Sequence, residues 1–306
     1  MEKIISIESI NTISDAINYH NQIIYCEENI IVINFQETTF IRSNFISIVG
    51  MALERIKLEG KEIKIIYSKD EDVNKDLEDI GFLHKYNNEA NQGNDEDGRM
   101  IPYTHVPLTN NSTEIAFIYT IFMQRLEKHM ENHSNSLQKK IFQKILEIFS
   151  NVFRHSQSEL GLICSGQFYS RNKKFNFTIV DCGIGIDTSV NEYLMETQIV
   201  DENKEAIIQK MKQTNYQILD GCKSIEWAII GSHSSTGSGG LGLSLLIDLV
   251  EKSDGALEIV SNKGYYSKRK NKLNKTLLND GFSGTIVSLE LNAEEDKYYC
   301  LKEDVK

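Results

Sequence analysis

The sequence predicts a mixed α/β chain in two parts: a small α/β domain over residues 1–100 and a larger α/β domain over residues 101–306. Three observations carry this. Strand-like apolar runs alternate with helical spacing through the first 83 residues. A polar, acidic, glycine-containing stretch, 84–99 (HKYNNEANQGNDEDGR), then breaks the pattern, with the chain's two prolines, Pro102 and Pro107, close behind it. A chain of 306 residues also has room for two domains at roughly 150 residues each, and each part is long enough to bury a core.

In the first part, Ile31–Phe35 reads as a strand and Lys61–Tyr67 as another. Between them Asn44–Leu58 (NFISIVGMALERIKL) has apolar residues at helical spacing. Val73–Ile80 reads as a short helix stopped by Gly81. Residues 84–99 read as a linker or exposed loop. In the second part a helical pattern runs from Ser112 to about His133, with Ile115, Ile118, Phe122 and Leu126 on one face. A second helix runs from about Ser136 to His155. Strand patterns follow at Leu160–Ser165, Phe175–Val180, Leu257–Ser261 and Thr285–Leu291, with a helix at Leu243–Lys252. The basic stretch Lys263–Lys275 reads as a solvated hairpin loop, with a phosphate or partner contact as the alternative.

Bulk composition excludes some classes of function. The net charge of −11 opposes nucleic-acid binding by the protein as a whole. No basic segment leads an apolar run at the start, and no apolar run approaches the roughly 18 residues that span a bilayer. Neither secretion nor membrane insertion is expected. The cysteines (Cys26, Cys164, Cys182, Cys222, Cys300) are odd in number, scattered, and contain no CxxC pair. Free thiols in a cytoplasmic protein are expected, without a cysteine zinc site.

Three motifs carry chemistry. In the first, ILEIFSNVFRH, the run 145–153 is apolar almost all round and so reads as buried, yet it contains Glu147 and Asn151. Glu147, Asn151 and His155 are spaced four apart, so they form one stripe on the helix. A carboxylate and an amide so placed can hold a hydrated Mg²⁺ and activate a water; alternatively, the stripe is a helix edge facing solvent. In the second motif, FNFTIVDCGIGI, the strand parity of Phe175, Phe177 and Ile179 aims Asp181 to the apolar side, ahead of Gly183, Gly185 and Ile186. A carboxylate there can accept from the exocyclic amine of adenine; an Asp-Gly turn in solvent is the simpler alternative. The third, Gly237-Ser238-Gly239-Gly240-Leu241-Gly242-Leu243, opens the helix Leu243–Lys252 and would present backbone N–H groups to phosphates. Its GxGxxG spacing also fits a dinucleotide loop, but GSHSST before it is loop-like rather than a strand.

Together, in this order, the motifs resemble the GHKL superfamily of gyrase, heat-shock chaperone, histidine-kinase and mismatch-repair ATPases. EIFSNVFRH resembles its N-box, DCGIGI and SGGLGL its two glycine boxes, and FSGTIVSLEL its last strand. The resemblance spans roughly residues 112–292. It implies that residues 101–306 form a two-layer α/β sandwich, the Bergerat ATP-binding fold, with ATP and Mg²⁺ as cofactors. By position, Glu147 orients the attacking water and Asn151 ligates the metal. Asp181 binds adenine, with Gly183, Gly185, Ile186 and Thr285 nearby. The second glycine box (Gly237, Ser238, Gly239, Gly240, Leu241, Gly242, Leu243) serves the phosphates, as do Arg154 and His155. The segment from about Asp187 to Thr236 corresponds to the mobile ATP lid. Ser238 stands where the family's second box has a glycine.

The pattern of residues 1–83 resembles STAS-like regulatory domains, with Asn44 at the usual phosphoacceptor serine and Ser43 beside it. The resemblances imply an ATPase or ATP-gated switch acting on a protein partner through the N-terminal domain, or on a second copy of the chain. A serine/threonine kinase of the anti-sigma type and a non-catalytic nucleotide-binding module are the alternatives. His129 and His133 lack the proline of an H-box, so histidine autophosphorylation is not expected. A fragment beginning near Met100 is expected to retain ATP binding.

Overall fold

The computed structural model describes residues 1–87, 93–109, 111–199, 219–230, 243, 246, 247, 250, 251, 253–292 and 298–300. The chain is mixed α/β. Its first part contains β1 (Glu2–Ser6), β2 (Ser9–Ile10), α1 (Ile13–Ile24), β3 (Ile30–Asn34), β4 (Phe40–Ile41), a 3₁₀ turn (Ser43–Phe45), α2 (Ile46–Leu58), β5 (Glu62–Ile66), α3 (Glu71–Asp79) and α4 (Phe82–Tyr86). β1, β3 and β5 form a parallel sheet in the order β1-β3-β5, as strands joined by helical crossovers do. α1 starts at a capping box, in which Asp15 N–H donates to Thr12 Oγ1 while the Asp15 carboxylate accepts from Thr12 N–H.

The second part contains β6 (Met100–Val106), α5 (Ser112–His129), α6 (Asn135–His155), β7 (Leu162–Tyr169), β8 (Lys174–Asp181), α7 (Gly185–Ile199), α8 (Gly221–Ile230), β9 (Ala256–Arg269) and β10 (Lys272–Asn292). Its five strands form an antiparallel sheet in the order β6-β7-β8-β10-β9. Leu243, Leu246 and Val250 are helical and buried, in agreement with a helix starting at Leu243.

Alternate rows of this sheet feed different cores. The row Cys164–Ile179–Val287–Ile259 packs with Phe122 of α5 and with Ile145 and Phe149 of α6. The neighbouring row Ile163–Val180–Ile286–Val260 faces the other way, into a core shared with α1, α2 and the parallel sheet. Further along that second face the rows turn polar: Ser165–Thr178–Ser288, then Gln167–Asn176–Glu290. Here the start of α2 docks. Asn44 Nδ2 donates to Thr178 Oγ1 at 2.8 Å, and Ser165 Oγ donates to Asn44 O at 3.0 Å. Glu290 is clamped by Lys174 (2.9 Å), Arg269 (2.6 Å) and Arg42 (3.6 Å); burial pushes its pKa up, but Arg269 and Lys174 outweigh that and hold the carboxylate below its usual range.

Three expectations change. The stretch read as a linker is tied down where it is described: Asp95 accepts from Arg99 N–H and Met100 N–H and pairs with Arg125 of α5 at 3.1 Å. The prolines do not mark a boundary loop: one lies within a strand and Pro107 directly follows it. Pro102 lies within β6, which it can do because β6 is an edge strand with a register shift between Ile101 and Thr104. The basic stretch is not a loop either, because β9 and β10 run through it. Lys268, Arg269, Lys270 and Lys275 pair with Glu251, Glu290, Asp254 and Glu226.

Candidate functional site

Asp181 ends β8 in the row Leu162–Asp181–Thr285–Ser261, on the α5/α6 side of the sheet, as its parity requires. It is 2% exposed. One carboxyl oxygen accepts from Gly183 N–H at 2.9 Å, and Thr285 also donates to the group. Burial outweighs these bonds and raises its pKa from 3.8 to about 7. The turn-aspartate alternative is corrected: this group is not in solvent.

The turn after Asp181 is stitched to the end of α6. Ile184 N–H donates to Ser156 O at 2.7 Å, and Ser156 caps α6. A Cβ on Gly183 would stand 1.9 Å from the same oxygen, so only glycine permits this contact. Gly185, at φ +80°, opens α7. Sequence reasoning missed the groups that hold this turn from the other side. Ser261 Oγ accepts from Ile186 N–H at 2.6 Å, and Asn262 Nδ2 donates to Ile184 O at 2.9 Å and to the Asp187 carboxylate. Asn262 carries a left-handed φ of 48°, a conformation asparagine favours, but only the register shows that it meets the turn.

On α6 the stripe is present, but its environment differs from the expectation. Leu137, Ile141, Ile145, Ile148, Phe149 and Val152 face the core, whereas Glu147, Asn151 and His155 are only half-buried. Glu147 is therefore not a lone buried acid: Lys144 Nζ donates to it at 3.0 Å and its side chain is 24% exposed. The physical reason is the helical period, which turns 147 and 151 off the core stripe despite their apolar neighbours. The Asn151 amide makes no hydrogen bond with a described residue. Burial, aided by Arg154, lowers the pKa of His155, and Arg154 itself is exposed.

The fold thus brings the 151–155 end of α6, Asp181, Gly183, Gly185, Ile186 and Thr285 to one end of the sheet. Glu147 lies two turns back from His155, about 12 Å along the axis at the α-helical rise. Gly237, Ser238, Gly239, Gly240, Leu241 and Gly242 lie outside the described residues, while Leu243 is a core residue. Of the segment expected as a lid, the described parts are the helices Gly185–Ile199 and Gly221–Ile230.

A buried acceptor at a strand end, beside a glycine turn and an amide without a described partner, fits an adenine amine and a metal-phosphate group in character. No group of three or more His, Cys, Asp or Glu side chains suited to a metal occurs among the described residues. A Mg²⁺ ion here would depend on phosphate and water oxygens for most of its six ligands. Among the described residues no helix is long and apolar enough to cross a membrane. No protein-family model and no curated protein matches the chain.

Proposed function

We propose that the chain binds Mg²⁺-ATP in a Bergerat-type site of the GHKL class, and uses it as a slow ATPase or ATP-gated switch acting on a protein partner. The observation that carries this reading is Asp181: a carboxyl buried at a strand end and bonded to the turn and to Thr285, with a pKa raised to about 7. Structural carboxyls seldom rest in such a state, whereas a ligand-facing acceptor does. Asp181 would accept from the adenine amine. Asn151 would ligate Mg²⁺, the Gly237–Leu243 loop would receive the phosphates, and Glu147 would orient a water. The bound nucleotide supplies the phosphoanhydride whose hydrolysis or transfer drives the switch.

A second reading, a module that binds nucleotide without hydrolysing it, is favoured by the Lys144–Glu147 pair, which occupies the candidate base. Two observations weigh against phosphorylation of this chain itself, on histidine or at the STAS-like position, and leave transfer to a partner open. His129 Nε2 contacts Gly98 O at 2.7 Å while its ring stacks on Phe168, and His133 is buried against Tyr299. Ser43 and Asn44 are 1% exposed beneath the sheet, so no phosphoryl donor reaches them in this arrangement. The N-terminal part, read as a STAS-like layer, then acts as a fixed support for the sheet.

Incubating the full chain with γ-labelled ATP and Mg²⁺ separates the readings. Released phosphate supports the ATPase, labelled protein the kinase, and tight binding with neither the module. Absence of any ATP binding at millimolar concentration would remove all three.

A further inference from the structure

β9 and β10 run on past the body of the five-stranded sheet as a hairpin arm. β8 pairs with β10 only over residues 285–292, whereas β9 follows β10 out to the pair Arg269–Lys272. Over residues 272–277, therefore, one side of β10 is paired with β9 and no described strand lies on the other. All six of these residues are exposed, Leu273 to 46% and Leu277 to 54%.

Hairpin geometry fixes which backbone groups are free. The loop between Arg269 and Lys272 is two residues long, with Lys270 at φ +50°, so the pair 269–272 closes with hydrogen bonds. In an antiparallel ladder, bonded pairs alternate with unbonded ones. Asn274 and Thr276 then bond to β9, while Leu273, Lys275 and Leu277 turn their N–H and C=O groups outward. The same parity puts these three side chains on one face. The arm is also held in place: Lys275 pairs with Glu226 of α8 at 2.7 Å, Cys222 Sγ donates to Thr276 O at 3.0 Å, and Tyr266 is buried. An edge fixed in advance loses little freedom when a strand joins it.

Charge selects the strand that can join. Residues 263–280 hold six basic side chains and one acid in a chain of net charge −11. Lys268, Arg269, Lys270 and Lys275 have acidic partners, but the ammonium groups of Lys263 and Lys272 make no ion pair with a described residue. A second copy of the chain fits poorly. Pairing Leu273 with Leu277 of that copy would set Lys275 opposite itself, and like charges directly opposite repel. We infer that residues 272–277 of β10 are a docking edge for an extended acidic segment of a partner protein. The segment adds a strand to the sheet, with apolar side chains over Leu273 and Leu277 and carboxylates towards Lys272. Strand addition draws its affinity from the free backbone groups and its selectivity from alternate side chains. The edge is independent of the nucleotide reading.

The test is binding of a short synthetic peptide alternating valine with glutamate to the full chain, followed by fluorescence anisotropy and amide hydrogen exchange. The peptide should bind saturably and slow exchange at Leu273, Lys275 and Leu277, leaving Asn274 and Thr276 as they were. Leu273→Pro removes one outward donor and keeps the ladder to β9, as edge prolines do. It should weaken the peptide about tenfold or more, with the peptide-free melting temperature near wild type. Should that variant not fold, the exchange pattern on the wild-type chain still decides the matter. Equal binding of a peptide alternating valine with lysine would overturn the inference. Binding without protection of the three amides, with single-stranded DNA an equal competitor, would overturn it in favour of plain charge attraction. So would no binding at millimolar peptide, or self-association of the peptide-free chain that Leu273→Pro abolishes.

Discussion

Asp181→Asn should make the protein more stable at neutral pH and less able to bind ATP. The carboxyl's pKa is 3.8 when unfolded and about 7 when folded, raised chiefly by burial. Between these values the folded chain holds a proton that the unfolded chain has released, so stability falls as pH rises through the window. Each tenfold gain in proton affinity on folding is worth about 1.36 kcal/mol, and the roughly thousandfold gain here sets the full penalty at about 4 kcal/mol above pH 7. From pH 5 to pH 8 the wild type should therefore lose about 3 kcal/mol that the asparagine variant keeps. His20 and His133 titrate with the opposite sign, from 6.5 unfolded to about 4 folded, but they are common to both proteins and cancel in the difference. The assay is urea unfolding of both proteins at pH 5, 6, 7 and 8, with ATP affinity measured alongside. The expected result is curves that diverge with pH, together with ATP binding weaker by at least tenfold in the variant. Such a trade of stability for binding marks a ligand-facing group. Parallel stability curves would refute the argument that burial of this carboxyl is uncompensated, and unchanged ATP affinity would refute its role as the adenine acceptor.

Gly183→Ala should detach the turn from α6, since its Cβ would stand 1.9 Å from Ser156 O; a loss of about 1–3 kcal/mol in chemical denaturation is expected, with ATP binding reduced as well. Glu147→Ala should cost less than about 1 kcal/mol of stability, because its pair with Lys144 is partly exposed, yet lower phosphate release at least ~100-fold if Glu147 is the general base; a wild-type rate would remove it from the mechanism. A fragment starting at Met100 should aggregate and bind an apolar dye, because Ile163, Val180, Val260, Phe282 and Ile286 lose the core they share with α1 and α2. This replaces the expectation of a self-standing nucleotide-binding fragment, and a monodisperse, fully folded fragment would contradict it. Acid should destabilise the protein as pH falls from 6.5 towards 4, where buried His20 and His133 must charge; replacing His133 by a residue that does not titrate should flatten that limb in pH-dependent unfolding.

Local pattern was enough for much of this chain. Period and parity reveal β3, α2, β5, α3, α5, α6 and β8, because each of these buries one stripe or face and its side chains repeat accordingly. The inward aim of Asp181 and the shared face of Thr285 with Val287 follow from the same two-residue period, and both hold in the sheet. α1, absent from the expected elements, was equally legible in the TISD capping box and the buried spacing of Ile13, Ala16, Ile17, His20 and Ile23.

What no window of sequence contains is which surfaces meet. Pro102 argues against a strand until β6 proves to be an edge. The acidic stretch before it looks free until Asp95 finds Arg125, 30 residues away. An apolar neighbourhood suggested a naked acid at Glu147, whereas helix packing left that side chain at the rim with Lys144 for a partner. Ser261 and Asn262 hold the Asp181 turn from a distance of 75 residues along the chain. The hollow lined by His20, Arg55 and Cys182 forms where α1 and α2 lie against the back of the sheet. Period and parity act along one element and are written in the chain; long-range register, and the partner each buried polar group finds, arise only when separate elements exclude water from between them.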